Sequence, residues 1–228
     1  IANLTAKTLN NPPVLNREAS LTVNQKFDNP DLDDRQYGVS SELNYDTKSG
    51  YSVKMINAYR DWQDEQTDGD VVFTPMDLLN RHAKFNSTST SHEIQLISPK
   101  DKLLGGRFDF VAGLYYFDED YSIVQSADLG TQLCGILFSA PATAARKTSC
   151  LAGPALNAYG SAFDQTAKST AAYVQTDFKI TPKIDLILGA RTTQDKKTGS
   201  FVGIANNSAV GLGVIQAPET TKLNFKDS

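Results

Sequence analysis

Long apolar runs are missing from this 228-residue chain. The longest uncharged stretches, residues 129–145 and 201–218, are broken by Gly130, Gln132, Gly135 and Pro141 in one, and by Gly203, Asn206, Asn207 and Gly211 in the other. Neither supplies about twenty consecutive apolar residues, so no transmembrane helix is expected. The strands of a membrane barrel are only half apolar and pass such a test unseen. Cysteine is scarce too: Cys134 and Cys150 alone exclude a disulfide-dense mini-protein and a four-thiolate zinc site. A basic surplus is also absent. Against 22 Lys and Arg stand 26 Asp and Glu, a net charge of −4, which leaves no footprint for nucleic acid as a partner.

Catalytic signatures are lacking as well. There is no nucleophile elbow, zinc-helix motif or phosphate loop, and no carboxylate pair at a spacing suited to acid–base work. The expectation is a protein without enzymatic activity, cofactor or metal. The first residues, Ile1-Ala2-Asn3-Leu4-Thr5-Ala6-Lys7, have neither an initiator Met nor the charged and apolar regions of a signal peptide, and read as the interior of a longer protein.

What the chain does have is alternation. In residues 35–46, Tyr37, Val39, Leu43 and Tyr45 share one parity while Gln36, Ser40, Glu42 and Asn44 share the other. Tyr51, Val53, Met55 and Tyr59 then alternate with Ser52, Lys54 and Arg60. Period-two patterning marks strands with one apolar face. The polar turn Thr47-Lys48-Ser49-Gly50 joins them into a hairpin. A second hairpin pairs residues 89–98 with 107–124 around the turn 99–106. A third pairs 164–180 with 184–193 around Thr181-Pro182-Lys183.

Between hairpins the connections are long: residues 63–87, 124–163 and 199–221. The first is expected to hold a short helix over residues 75–81, with Thr74 as N-cap and Pro75 at its first position. Short and long connections alternate strictly, as in an outer-membrane barrel with short periplasmic turns and long extracellular loops. On that rule the ends at Lys48, Lys100 and Lys183 face the periplasm, and the loops after Trp62, Asp120 and Lys196 face outward. The expected fold is all-β: an antiparallel up-and-down sheet of about six to eight strands, a segment of a larger transmembrane barrel.

Several stretches resemble TonB-dependent outer-membrane receptors. Ser91-His92-Glu93-Ile94-Gln95-Leu96 followed by Phe110-Val111-Ala112-Gly113-Leu114-Tyr115-Tyr116-Phe117 is similar to a signature hairpin of that family. Ile56-Asn57-Ala58-Tyr59-Arg60-Asp61-Trp62 resembles its strand ending in an aromatic-Arg pair. Tyr173-Val174-Gln175, Thr181-Pro182 and Leu188-Gly189-Ala190-Arg191 resemble a further hairpin. Asp70-Val71-Val72-Phe73-Thr74 is similar to a loop of the branch found in sphingomonad-like bacteria. A signal peptide, a Ton box, a plug domain and a terminal aromatic have no counterpart here, so the resemblance implies that residues 1–228 are a partial barrel domain. It further implies a Gram-negative outer-membrane location and energised uptake of a siderophore, vitamin, metal complex or glycan. The implied partners are that nutrient, membrane lipid and, through a plug domain, the TonB complex. A soluble β-sandwich binding glycans or a protein is the alternative; it would show a second sheet and loops of equal length at both ends.

Candidate functional residues follow from the same alternation. The parity carrying Lys54, Arg60, Trp62, Arg107, Asp109, Tyr115, Phe117, Tyr173, Gln175, Asp177 and Arg191 would face the barrel lumen, and Trp62, Tyr115 and Phe117 are the candidate ligand contacts. Tyr37, Tyr45, Tyr51, Tyr59, Tyr116 and Tyr121 read either as interfacial girdles or as packing in a soluble sheet. His92 shares parity with Ile94 and Leu96, a position suited to a membrane rim. Cys134 and Cys150, with fifteen residues between them, are either a staple of one extracellular loop in an oxidising envelope or two free thiols. The acidic groups Asp61, Asp64, Glu65, Asp68, Asp70 and Asp118, Glu119, Asp120 lack calcium-loop spacing and read as solvated loop charge.

Overall fold

The computed structural model describes residues 31–67, 76–207 and, as a backbone strand, 221–227. Seven strands make up one antiparallel sheet: β1 (Asp31–Asp46), β2 (Ser52–Thr67), β3 (Leu79–Ile97), β4 (Phe108–Leu129), β5 (Tyr159–Thr181), β6 (Ile184–Ala205) and β7 (Thr221–Asp227). Each pairs with its sequence neighbour, in the order β1 to β7 without a crossover. The three hairpins and their turns lie where the alternation places them. No second sheet stacks on this one among the described residues, which removes the sandwich alternative.

Gly50 closes the first turn at φ +90°, a conformation that side chains with a Cβ rarely adopt. There Thr47 Oγ1 donates to the Tyr51 carbonyl (2.9 Å) and accepts from the Tyr51 N–H (3.0 Å). The second turn carries Asp101 and Leu104 at positive φ. Its Asp101 is ion-paired with Lys179, and this ammonium holds the Asp101 carboxyl below the usual carboxylate range.

The strands run further than the alternation of their first halves suggests. The first six are 16 to 23 residues long, about 50–75 Å at ~3.3 Å per residue. Trp62, Asp120 and Lys196 therefore lie inside β2, β4 and β6, not at loop starts. The acidic residues Asp61, Asp64, Glu65, Asp118, Glu119 and Asp120 are likewise strand residues; Asp68 and Asp70 lie outside the described residues. The helix expected over 75–81 is not formed, because Leu79, Asn80 and Arg81 open β3 in register with Leu129, Asp128 and Ala127. Ladder pairing overrides a local capping preference there. Thr74 and Pro75 lie outside the described residues.

The connection 130–158 is not a plain loop. It holds α1 (Leu133–Leu137), a 3₁₀ turn (Pro141–Thr143) and α2 (Ala144–Ala152). With the ends of β3 and β4 it encloses a dry cluster that includes Met76, Leu78, Leu129, Leu133, Phe138 and Ala158. Here the two cysteines are joined, Cys134 to Cys150, with Cα atoms 5.8 Å apart. Polar side chains fasten this cap. Asp77 accepts from the N–H and hydroxyl of Thr131 (2.9 and 2.7 Å), and the fully buried Asn207 donates to the carbonyls of Cys150 and Pro154 (2.9 and 3.2 Å).

Candidate functional site

The register sorts the sheet into rows with two unlike faces. On one face, nearest the short turns, an apolar band crosses the strands. One row is Tyr45, Val53, Leu96, Ala112, Val174, Ala190; the next is Leu43, Met55, Ile94, Leu114, Ala172. Many of these side chains are exposed, Leu43 by 61% and Leu114 by 60%. From Phe108 to Tyr116 on β4 the band spans about 26 Å along the strand. Tyr45 stands at the turn end of β1 in the band's middle row, Tyr116 lies at the far edge of the band, and Tyr59 and Tyr37 lie one and two rows beyond it; His92 is stacked on Tyr116 (centroids 6.3 Å, interplanar 18°). Tyr51 sits beside the first turn against Phe110 (6.4 Å). Tyr121 belongs to the opposite face, edge-on to Phe163 at 6.3 Å, and is no part of a girdle on the banded side. Beyond Tyr116 the banded face of β4 turns mostly polar, with Asp118, Asp120, Ser122 and Ser126 interrupted by Val124.

The opposite face is polar at the level of the band. Asn44, Lys54, Gln95, Gly113, Tyr173 and Arg191 form one row, and Glu42, Ile56, Glu93, Tyr115, Ala171 and Thr193 the next. Lys54 pairs with Glu42 at 2.9 Å. Glu93 accepts from the Tyr173 hydroxyl (2.5 Å) and from Gln95 Nε2 (2.9 Å). The Arg191 guanidinium lies 5.9 Å from the Tyr115 ring and 6.0 Å from the Tyr173 ring, within cation–π range. The Tyr173 ring lies across Gly113, where an added Cβ would come within 2.4 Å of it.

Of the candidate ligand contacts, Tyr115 is thus engaged in this ionic and aromatic network. Phe117 stands one row further out, between Ser91 and Ser169. Trp62 is two rows further again and two strands away, about 10 Å across and 13 Å along the sheet from Phe117. It donates Nε1 to Asp34 Oδ2 (3.1 Å) and packs on Phe85 (6.2 Å). The three share a face without forming one cluster.

A row that was not anticipated lies next to Trp62: Phe85, Ile123, Phe163 and Phe201 stand side by side on β3 to β6. Its signal is parity. On β4, Val124 apart, apolar residues occupy mainly even positions up to Tyr116 and mainly odd positions from Tyr115 to Leu129, and β3 and β5 follow the same change of side, whereas β6 keeps Val202 and Ile204 on the banded side. Two carboxyl oxygens on this face, Asp64 Oδ1 and Asp177 Oδ1, are buried with no partner among the described residues. No group of three or more His, Cys, Asp or Glu converges on a cation position among the described residues.

A long-stranded, up-and-down antiparallel sheet with one apolar band and one ionic face defines a segment of a membrane-barrel wall. The family profile of TonB dependent receptor-like β-barrels matches residues 3–219, and the chain belongs to that family. Among solved structures it is similar to the ferric yersiniabactin uptake receptor FyuA from Yersinia pestis, with a TM-score of 0.58 and 16% identity over 87% of this chain. The chain spans about a quarter of that structure's length, 25%. Comparison with the curated proteins gave no match.

Proposed function

We propose that this chain forms part of the barrel wall of a TonB-dependent receptor in a Gram-negative outer membrane, which imports a scarce nutrient complex and performs no chemistry of its own. The observation that carries this reading is the pairing of an exposed apolar band, which a bilayer would cover, with an ionic face at the same height. A contiguous exposed apolar patch of this kind is a liability in water and an asset in lipid. The ionic face lines the lumen. There a plug domain would supply donors to Asp64 Oδ1 and Asp177 Oδ1 and transmit the pull of the TonB complex. The cap and the row of Phe85, Phe163 and Phe201 face the entry, where a siderophore, vitamin, metal complex or glycan is captured. Trp62 and Phe117 contact that ligand, and Tyr115 positions the network beneath it.

The test is fractionation followed by uptake. The protein carrying this chain is expected in the outer-membrane fraction, released only by detergent, and its deletion is expected to abolish growth on one limiting nutrient of those classes. Trp62→Ala and Phe117→Ala should weaken ligand binding without lowering the amount of folded protein. Recovery of the protein in detergent-free buffer would refute the reading.

A further inference from the structure

Three features of the banded face line up along β4 and β5. Lowest is a shallow apolar furrow of about 360 Å³, floored by the small side chains of Ala112 and Ala172 and walled by Val53, Ile94, Leu96 and Leu114. Next, just beyond the band, Lys168 and Lys196 stand directly opposite each other on β5 and β6. Above them a groove of about 620 Å³ is lined by hydroxyls, amides and carboxylates, among them Asn86, Thr88, Asp120, Asp164, Thr166 and Ser200.

The lysine pair is uneconomical as it stands. Like charges directly opposite on a sheet repel, and a single carboxylate, Asp118, meets Lys168 at 3.3 Å. Lys196 is exposed and has no ion-pair partner among the described residues. From Lys168 to Ala172 is about 13 Å along the strand, and Thr166 lies only two residues beyond Lys168.

From this order we infer that the face binds a phosphorylated glycolipid of the outer leaflet. One acyl chain lies in the furrow, a phosphate bridges Lys168 and Lys196, and sugar hydroxyls enter the groove above. Asp120 and Asp164 accept hydroxyl hydrogens there and repel a phosphate placed further out, which confines the anion to the lysine row. The inference goes beyond uptake but rests on the reading that this face meets lipid.

The test uses the full-length protein purified from outer membranes in mild detergent and measures bound phosphorylated glycolipid by mass spectrometry. The same lipid, its dephosphorylated form and an anionic phospholipid are then titrated back in nanodiscs. Each interfacial lysine is expected to contribute about fivefold in affinity. Lys168→Gln with Lys196→Gln should therefore weaken binding roughly thirtyfold, and the dephosphorylated lipid should lose as much. Lys197→Gln, the next residue on β6 but on the other face, should leave binding unchanged. If the double variant folds poorly, the single Lys196→Gln should still show the fivefold loss. Wild-type affinity in the lysine variants would overturn the proposal, as would equal binding of an anionic phospholipid that has no sugar. Absence of the wild-type protein from the outer membrane would instead refute the barrel reading itself.

Discussion

Leu114 offers the sharpest measure of what covers the apolar band. It lies on β4 one row beyond the central row of Leu96, Ala112 and Val174, opposite Ile94 and Ala172, with most of its surface exposed. If water meets this face, Leu114→Lys changes stability by no more than about 0.5 kcal/mol, the ordinary range for an exposed site. If hydrocarbon meets it, the ammonium costs about 2–4 kcal/mol at mid-depth, falling to about 0–1 at the interfaces. Leu114 stands one row, about 7 Å along a tilted strand, from the central row. An intermediate cost of about 2 kcal/mol follows, roughly a thirtyfold fall in the folded fraction relative to unfolded.

The assay is guanidinium unfolding of the protein in phospholipid vesicles, followed by far-ultraviolet circular dichroism. Two companions set the scale. Thr90→Lys, in the row of Asp118 beyond the band, should cost less than about 1 kcal/mol. Ser91→Lys, its neighbour on the ionic face, should stay within about 0.5 kcal/mol of wild type. Stability of Leu114→Lys equal to wild type, or an equal loss in Ser91→Lys, would refute the assignment of faces.

Gly113→Ala should cost about 1–3 kcal/mol, because a Cβ 2.4 Å from the Tyr173 ring forces that ring off the sheet and away from Glu93; Tyr173→Phe, which loses only the hydroxyl, should cost about 1 kcal/mol in the same unfolding assay. Joint Ser replacement of Cys134 and Cys150, which close a loop with a sequence separation of 16, should loosen the cap by about 3 kcal/mol. Limited proteolysis should then cut within residues 130–158 while the strands remain intact. The Asp101 carboxyl, lowered by Lys179, should titrate below an ordinary aspartate. A group depressed in the folded state contributes stability above its unfolded pKa and loses it as pH falls through the folded value, so the pair should persist at neutral pH and dissolve only in acid. Lys179→Gln should return the Asp101 titration, followed by carboxyl infrared bands, to the ordinary range.

The hairpins were legible because each strand begins at a short turn with clean alternation, and because Gly50, Pro182 and the turn 99–106 punctuate them. The outer halves were not, and β4 shows why. A reading that follows Phe110, Ala112, Leu114 and Tyr116 meets Asp118 and Asp120 at the same parity and stops, although the chain stays extended and moves its apolar side chains to Tyr121, Ile123 and Leu129 on the other face. The apolar residues had changed neighbours, and the secondary structure had not changed. The cap was illegible for another reason. Its contacts join Met76 and Leu78 to Leu133 and Phe138 and hang on Asn207, more than fifty residues from Cys150 and Pro154, and no local pattern announces such a clasp. Trp62, Tyr115 and Phe117 were correctly assigned to one face by parity, but their separation in height depends on register between strands, which alternation within a strand does not carry.

The change of apolar face also explains where each part of the wall finds its stability. Near the short turns neither face builds a dry protein core. The ladder, the Lys54–Glu42 ion pair, the Glu93 hydrogen bonds and the contacts of Arg191 with Tyr115 and Tyr173 hold the ionic side, and the apolar band relies on the surroundings that cover it. Further out, where Asp118, Asp120 and Ser122 replace the band, that support ends, and the sheet must bury apolar surface within the chain. It does so on the opposite face, with Ile123, Phe163 and Phe201 half-buried in the wall and Leu129 and Ala127 buried under the cap, and it closes the end with a disulfide and the Asn207 clasp. A cap that supplies its own core can vary in sequence and shape without disturbing the band beneath it. On the proposed reading, changes in the cap should therefore alter what the protein captures, and changes in the band should alter whether it folds at all.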